Sequence, residues 1–191
     1  MEKTESKTTQ GYGLSRYFLL TMTLSLLGWA FETTFVFVVT HRWTDRGFMT
    51  LPFCPIYGCS LVAAYFLVGT PDEGGLLLKK VENPVFRYPL YLLAAFVIPS
   101  LAELSVGFFF DKAFGIWLWS YAAQPFNLNG YVCLPISLAW AALIFFFMKF
   151  LFPPIKNALG KLPRAFVRIV AITLFIAVAI DLIYNFLLLF S

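Results

Sequence analysis

Two glutamates stand inside stretches that are otherwise almost wholly apolar: Glu32 in LGWAFETTFVFVV, residues 27–39, and Glu103 in VIPSLAELSVGFFF, residues 97–110. A carboxylate in an apolar helix costs a few kcal/mol, so it is kept where it meets a partner, a cavity or a pathway. Two carboxylates in one low-dielectric site cannot both ionise cheaply unless a cation compensates. Arg46, in the turn sequence WTDRG, supplies such a cation, and a guanidinium holds a carboxylate through two parallel bonds. Such a group permits proton-coupled transport or general acid/base catalysis. A plainer reading stays open, in which the ion pair only specifies how the helices pack. Asp181 is a third acid in an apolar run, AVAIDLIYNFLLL. Asn127 brings an amide that can orient a ligand, and Tyr57, Trp119 and Tyr121 bring rings that can roof a pocket, although interfacial aromatics also form ordinary belts. The candidate solute-binding set is therefore Glu32, Arg46, Tyr57, Glu103, Trp119, Tyr121, Asn127 and Asp181, with no catalytic residue assigned.

Other chemistries find little support. His41 is the only histidine, and Cys54, Cys59 and Cys133 lack metal-site spacing, so neither a metal site nor a cofactor is expected. No G-x-x-x-x-G-K-[ST] stretch occurs, and ATP hydrolysis by that route would need a partner chain. The three cysteines fall near the outer ends of their spans, and they are expected as reduced packing residues rather than a bridge.

The elements that must position these groups follow from composition. Of 191 residues, 60% are hydrophobic and 13% charged, which is the balance of a membrane protein. An all-α, polytopic membrane helix bundle is expected, with about five transmembrane helices over Tyr17–Thr40, Leu51–Gly69, Tyr88–Phe110, Gly130–Phe152 and Arg164–Phe190. The breaks TDRG, GTPDEGG, SYAAQPFNLNG and FPPIKNALGKLP carry glycines and prolines that end helices. The first run is too long for a signal peptide and reads as a retained span. Residues 1–15 are expected to be a disordered cytoplasmic N-terminus, and residues 16–191 a single transmembrane domain.

With these spans, Arg16, Lys79, Lys80, Arg87, Lys149, Lys156, Lys161, Arg164 and Arg168 fall on one side together with Lys3 and Lys7. Only Arg42, Arg46 and Lys112 fall on the other. The positive-inside rule then puts the N-terminus in the cytoplasm and the C-terminus outside, in a multi-pass protein of the cell membrane. This topology accounts for the net charge of +4, so nucleic-acid binding has no support. The basic, proline-broken loop before the last span suits anionic headgroups or a cytoplasmic partner.

Depth and face agree for the acids. Glu32 lies eight residues before Thr40 and Glu103 eight before Asp111, so each sits roughly 12 Å below the outer end of its helix; Asp181 lies some 15 Å from the outer end of its own. Thr21, Ser25, Gly28 and Glu32 form one small, polar stripe, Ser100, Glu103 and Gly107 a second, and Asp181, Tyr184 and Asn185 a third. Small residues let helices approach closely and polar ones bond across the contact. Spans one and two also lie over spans three and four as a candidate parallel repeat, with Glu32 on Glu103, Cys54-Pro55 on Cys133 and Pro135, and Ser60-Leu61 on Ser137-Leu138; chance similarity of apolar segments remains the alternative.

The outer segments GWAFE, DRGFMTLPFCPIYG, the Glu103 stretch and WSYAAQPFNLNGYVCLPISLAW resemble, in order and spacing, the putative ABC-transporter permease family of the CmpB type, over about Gly28 to Trp140. The family pattern reads G-W-x-x-E, N-R-G-F-x-x-G-P-x-x-P-I-Y-G, an intramembrane Glu, then W-D-Y-S-x-x-P-x-N-x-x-G-x-I-C-L-x-x-S-x-x-W-G. The chain departs from it at Asp45, Leu51, Ser120, Ala122 and Ala141, and the missing acid at Ser120 removes that carboxylate from any role here. The resemblance implies a transport-type membrane protein. Apolar spans put it in the lipid bilayer, and because five helices make a narrow bundle, a homo-oligomer or a partner chain, such as a cytoplasmic ATPase, would enlarge any pathway. Two alternatives stay open: an intramembrane enzyme acting on a lipid or lipid-linked group, with Arg46 holding a phosphate, and a structural membrane subunit.

Overall fold

A computed structural model of the chain describes residues 13–44 and 46–188, so Asp45, most of the expected disordered segment (1–12) and the expected end of the last span at Phe190 (189–191) lie outside the described part. Six helices run in order: α1 (Leu14–Thr40), α2 (Pro55–Leu67), α3 (Pro84–Phe114), α4 (Leu134–Phe150), α5 (Phe152–Lys161) and α6 (Arg164–Leu188). A two-stranded antiparallel hairpin, β1 (Asn127–Leu128) with β2 (Val132–Cys133), precedes α4. Apart from that hairpin the described residues are all-α. Helix α1 starts at Leu14, so residues 14 and 15 are helical rather than part of the expected disordered segment.

Among the described residues three helices, α1, α3 and α6, are long and apolar enough to cross a membrane, and α4 with α5 makes a fourth if the pair, bent by 43°, counts as one span. This is fewer than the five apolar runs. Helix α2 has only 13 residues, about 20 Å at the helical rise, against a hydrocarbon core of roughly 30 Å. Its carbonyls at Phe66, Leu67 and Val68 accept the N–H groups of Leu76, Leu77 and Gly75, so the chain doubles back and caps the helix end. Pro153 and Pro154 lie in the first turn of α5, where a missing N–H costs nothing to the new helix but ends the old one.

Helix α1 packs most extensively on α2, α3 on α4, and α6 lies against α1. The core between the two pairs holds Leu20, Leu24, Val62, Tyr91, Ala95, Met148 and Phe152. The α1 stripe faces α2, because a Cβ placed on Gly58 would overlap Thr21 O and Ser25 Oγ, and one on Gly28 would meet Tyr57. The α3 stripe faces α4 through Ser100 Oγ, 2.9 Å from Ser137 Oγ. At the opposite end from the acids, Lys149 Nζ lies 2.9 Å from the Tyr88 hydroxyl and 3.6 Å from Asp72, and Lys156 reaches the Tyr65 hydroxyl. These contacts gather the start of α3, the ends of α2 and α4, and α5 at one basic end.

Asn83 begins α3 by accepting a hydrogen bond from Val85 N at 3.0 Å, ahead of Pro84 in the first turn. Asn83→Ala is expected to cost about 1 kcal/mol of stability, the usual value of an N-cap. Equilibrium unfolding in mixed micelles measures it, and an unchanged unfolding free energy would show that the cap contributes nothing.

Candidate functional site

The polar site is built from the helix-pair contact outward. Residues spaced by three and four along α1 share one face, and that face carries Glu32 to the first turn of α2. There the Tyr57 hydroxyl donates to Glu32 Oε2 at 2.6 Å. The other oxygen, Oε1, accepts from Arg46 Nε and lies 2.9 Å from Nη2 as well. Arg46 comes from the loop between α1 and α2, where Gly47 takes φ +105 and Cys54 Sγ donates to Arg46 O at 3.5 Å. Both Glu32 oxygens are therefore engaged, and its charge is matched. The pair is mostly buried, with Arg46 at 29% and Glu32 at 20% side-chain exposure.

Glu103 stands next to this pair, within electrostatic reach of Glu32. Its neighbours are the Trp140 indole and the Tyr121 phenol. Neither makes a hydrogen bond of normal geometry to it, and Trp140 Nε1 is buried without any such bond. No described lysine or arginine forms a salt bridge with Glu103. Burial, together with the Glu103 and Glu32 carboxylates, holds the Tyr121 phenol well above its ordinary pKa, so it stays a donor. Trp140 also touches Tyr57 and Phe31, with ring centroids 5.5 and 6.3 Å apart. It is the one wall residue missing from the expected set. Its spacing of three from Ser137, whose hydroxyl marks the α3-facing side of α4, was the available signal.

The remaining expected residues make their bonds elsewhere. Trp119 Nε1 donates to Tyr131 O at 2.9 Å, and its ring packs on Gly107 of α3. Tyr131 stacks on Trp117 at 5.2 Å and donates to Asp111 Oδ2 at 2.6 Å, so the 115–133 loop is pinned to the end of α3. Asn127 is exposed and bonds within that loop: its Nδ2 donates to Gln124 O at 2.8 Å, and its Oδ1 accepts from Gly130 N at 3.1 Å. Asp181 lies apart from the glutamates. Its Oδ2 accepts from Leu51 N at 3.2 Å, and Asn185, which bonds Thr50, donates to it from the next turn. Helix α6 thereby anchors the loop that carries Arg46.

The two helix pairs share a local design. Cys54 caps α2 and Cys133 caps α4, each in extended backbone, each buried, each followed by a proline in the first turn. Four residues further on, Gly58 meets α1 at Ser25 and Ser137 meets α3 at Ser100. By place in the helix, Ser137 thus corresponds to Gly58 rather than to Ser60. Among the described residues no disulfide joins the three cysteines, and Cys59 is exposed. Among the described residues no group of three His, Cys, Asp or Glu side chains forms a metal-holding set.

Chemically, the site offers a compensated carboxylate beside one that meets only neutral donors, under an aromatic wall. The family model for putative ABC-transporter type IV proteins matches residues 18–186. No curated protein and no solved structure matches the chain.

Proposed function

We propose, from the premise that the chain belongs to the putative ABC-transporter type IV family, that it is a permease-like transport protein of the cell membrane with an outward-facing polar site. Family and membrane-length helices together make it a transport-related membrane protein. The finer reading rests on one observation. Glu32 has its charge matched by Arg46 and accepts a bond from Tyr57, whereas Glu103, within its electrostatic reach, meets Tyr121 and Trp140 but pairs with no described cation. A carboxylate kept in that state inside an apolar bundle is the group that exchanges a proton or a solute.

In this reading Glu103, Tyr121, Tyr57 and Trp140 form the contact surface, Arg46 and Glu32 fix its shape, and Trp119, Asn127 and Asp181 hold the two outer loops in place. Helix α2, with the non-helical backbone on either side of it, makes the fifth crossing, and the basic end faces the cytoplasm, so that residues 16–191 form one membrane domain. Engagement of the Arg46 guanidinium by Glu32 weighs against a phosphate-holding enzyme site there. The chain carries no nucleotide-binding P-loop, so energy from ATP would enter through a separate ATPase subunit, and a homo-oligomer would widen so narrow a bundle.

Proteoliposomes holding the protein, exposed to a defined mixture of small polar solutes and assayed by mass spectrometry, test this. Glu103→Gln is expected to lower uptake of any transported solute by at least about tenfold while the unfolding midpoint stays within a few degrees, as befits loss of one charged contact. Uptake undiminished in the variant would overturn the assignment.

A further inference from the structure

A buried arginine at the basic end of the bundle forms no ion pair among the described residues. Arg16 is 6% exposed, and among the described residues its only hydrogen bond runs from Nη2 to Leu162 O at 3.0 Å. Its Nε is buried and makes none. No described carboxylate forms a salt bridge with it. A buried guanidinium costs several kcal/mol unless it is paired and its donors are satisfied, so one neutral carbonyl leaves the group electrostatically incomplete.

The surroundings make the deficit larger. Arg16 lies in the first turn of α1, and α6 begins at Arg164, two residues beyond the carbonyl that Arg16 holds. Neither helix has an acidic residue in its first turn. Both N-termini carry the positive end of a helix dipole, which favours an anion and disfavours a cation. Lys161 and Arg164, both exposed, flank Leu162 in sequence. Two helix starts, one buried guanidinium and two exposed cations therefore converge, and among the described residues no carboxylate pairs with the guanidinium.

We propose that this junction of α1 with the α5–α6 link is a phosphate-binding site filled by the headgroup of an anionic phospholipid. A lipid is favoured over a free phosphate because the site sits where two membrane-length helices begin. Exposed apolar side chains lie beside it for acyl chains to cover: Leu14 at 87%, Phe166 at 52% and Ile169 at 65%. Guanidinium matches phosphate by its planar fork of donors, and headgroups of anionic lipids collect at basic segments next to spans. The site is independent of the Glu32 and Glu103 cluster, which lies at the other end of the helices.

The test uses the full chain purified in a phosphate-free maltoside detergent, with three probes: short-chain phosphatidylglycerol, diacylglycerol with the same tails, and inorganic phosphate. Phosphatidylglycerol is expected to raise the thermal unfolding midpoint saturably and to remain as an adduct in native mass spectrometry, while diacylglycerol does neither. Inorganic phosphate acting as well as the lipid would keep the phosphate site but assign it to a soluble anion. Arg16→Gln is expected to abolish the response. Should that variant fail to fold, Lys161→Gln with Arg164→Gln, which alters only exposed side chains, is expected to raise the half-saturating concentration about tenfold, the loss of one or two charge-assisted bonds. An equal response to diacylglycerol, or an undiminished response in both variants, would overturn the proposal.

Discussion

Gly58→Ala is expected to lower the unfolding free energy by about 3 kcal/mol, the upper end of the cost of overpacking a closed contact. The added methyl would overlap two atoms of α1, the Thr21 carbonyl oxygen and Ser25 Oγ. The first is backbone and cannot turn aside. The second is held by its own bond to that same carbonyl at 2.8 Å, and Cys54 N donates to Ser25 O at 3.2 Å just above. Relief therefore requires α1 and α2 to separate, and this pair shares the largest contact in the protein. Separation would also draw Tyr57 away from Glu32, so the polar site is disturbed along with the packing. Gly13, whose Cβ would meet nothing within 4 Å, serves as the control, and its change to Ala, at the N-cap of α1, is expected to cost only about 0.5–1 kcal/mol. Denaturant titration in mixed micelles reads both. If Gly58→Ala unfolds within about 0.5 kcal/mol of the unchanged protein, as ordinary surface substitutions do, the helices do not cross as closely as the fold requires.

That contact was legible in the sequence, because a run of small and polar residues at helical spacing in an apolar span has few uses besides close approach. The pairing of Arg46 with a nearby glutamate was legible for a similar reason: a buried carboxylate must be answered, and Arg46 is the cation nearest in the chain. The end of α2 was not legible. Hydropathy counts Leu51 to Cys54 and Val68 with Gly69 as apolar whether or not they are helical, and the capping of α2 by Gly75, Leu76 and Leu77 depends on a turn between residues far enough apart that no periodicity records it. Asn127 presents the same difficulty on a smaller scale. An amide in an aromatic loop looks like a ligand contact, but here the left-handed backbone at Phe126 and Asn129 closes a turn that takes up its bonds. Asp181 was expected to converge with the glutamates by depth, yet the rotation of its helix sends it to Leu51. Depth along a helix follows from counting residues, whereas rotation is set by the neighbours against which the helix packs.

Removing the positive half of the ion pair is expected to cost more than removing the negative half. Arg46→Met leaves Glu32 charged, about four-fifths buried, and answered only by the Tyr57 hydroxyl and whatever water reaches it. Breaking a fully buried pair from one side costs 3–5 kcal/mol; with the side chains 29% and 20% exposed, solvent screening brings the expected loss to about 2–3 kcal/mol. Glu32→Gln keeps the shape and still accepts from Tyr57. The freed guanidinium sits on a loop and can turn to water, so the expected loss is about 1 kcal/mol. In the double variant no charge is stranded, and its loss is expected to fall short of the sum of the single losses by about 1–2 kcal/mol, the range found for residues in direct contact. That shortfall is the coupling of the two side chains, and unfolding free energies of the four proteins measure it. Single losses that add to within about 0.3 kcal/mol would mean that the two groups act independently. In that case Glu32 would be no better compensated than Glu103, and the contrast between a matched and an unmatched carboxylate, on which the solute site rests, would be gone.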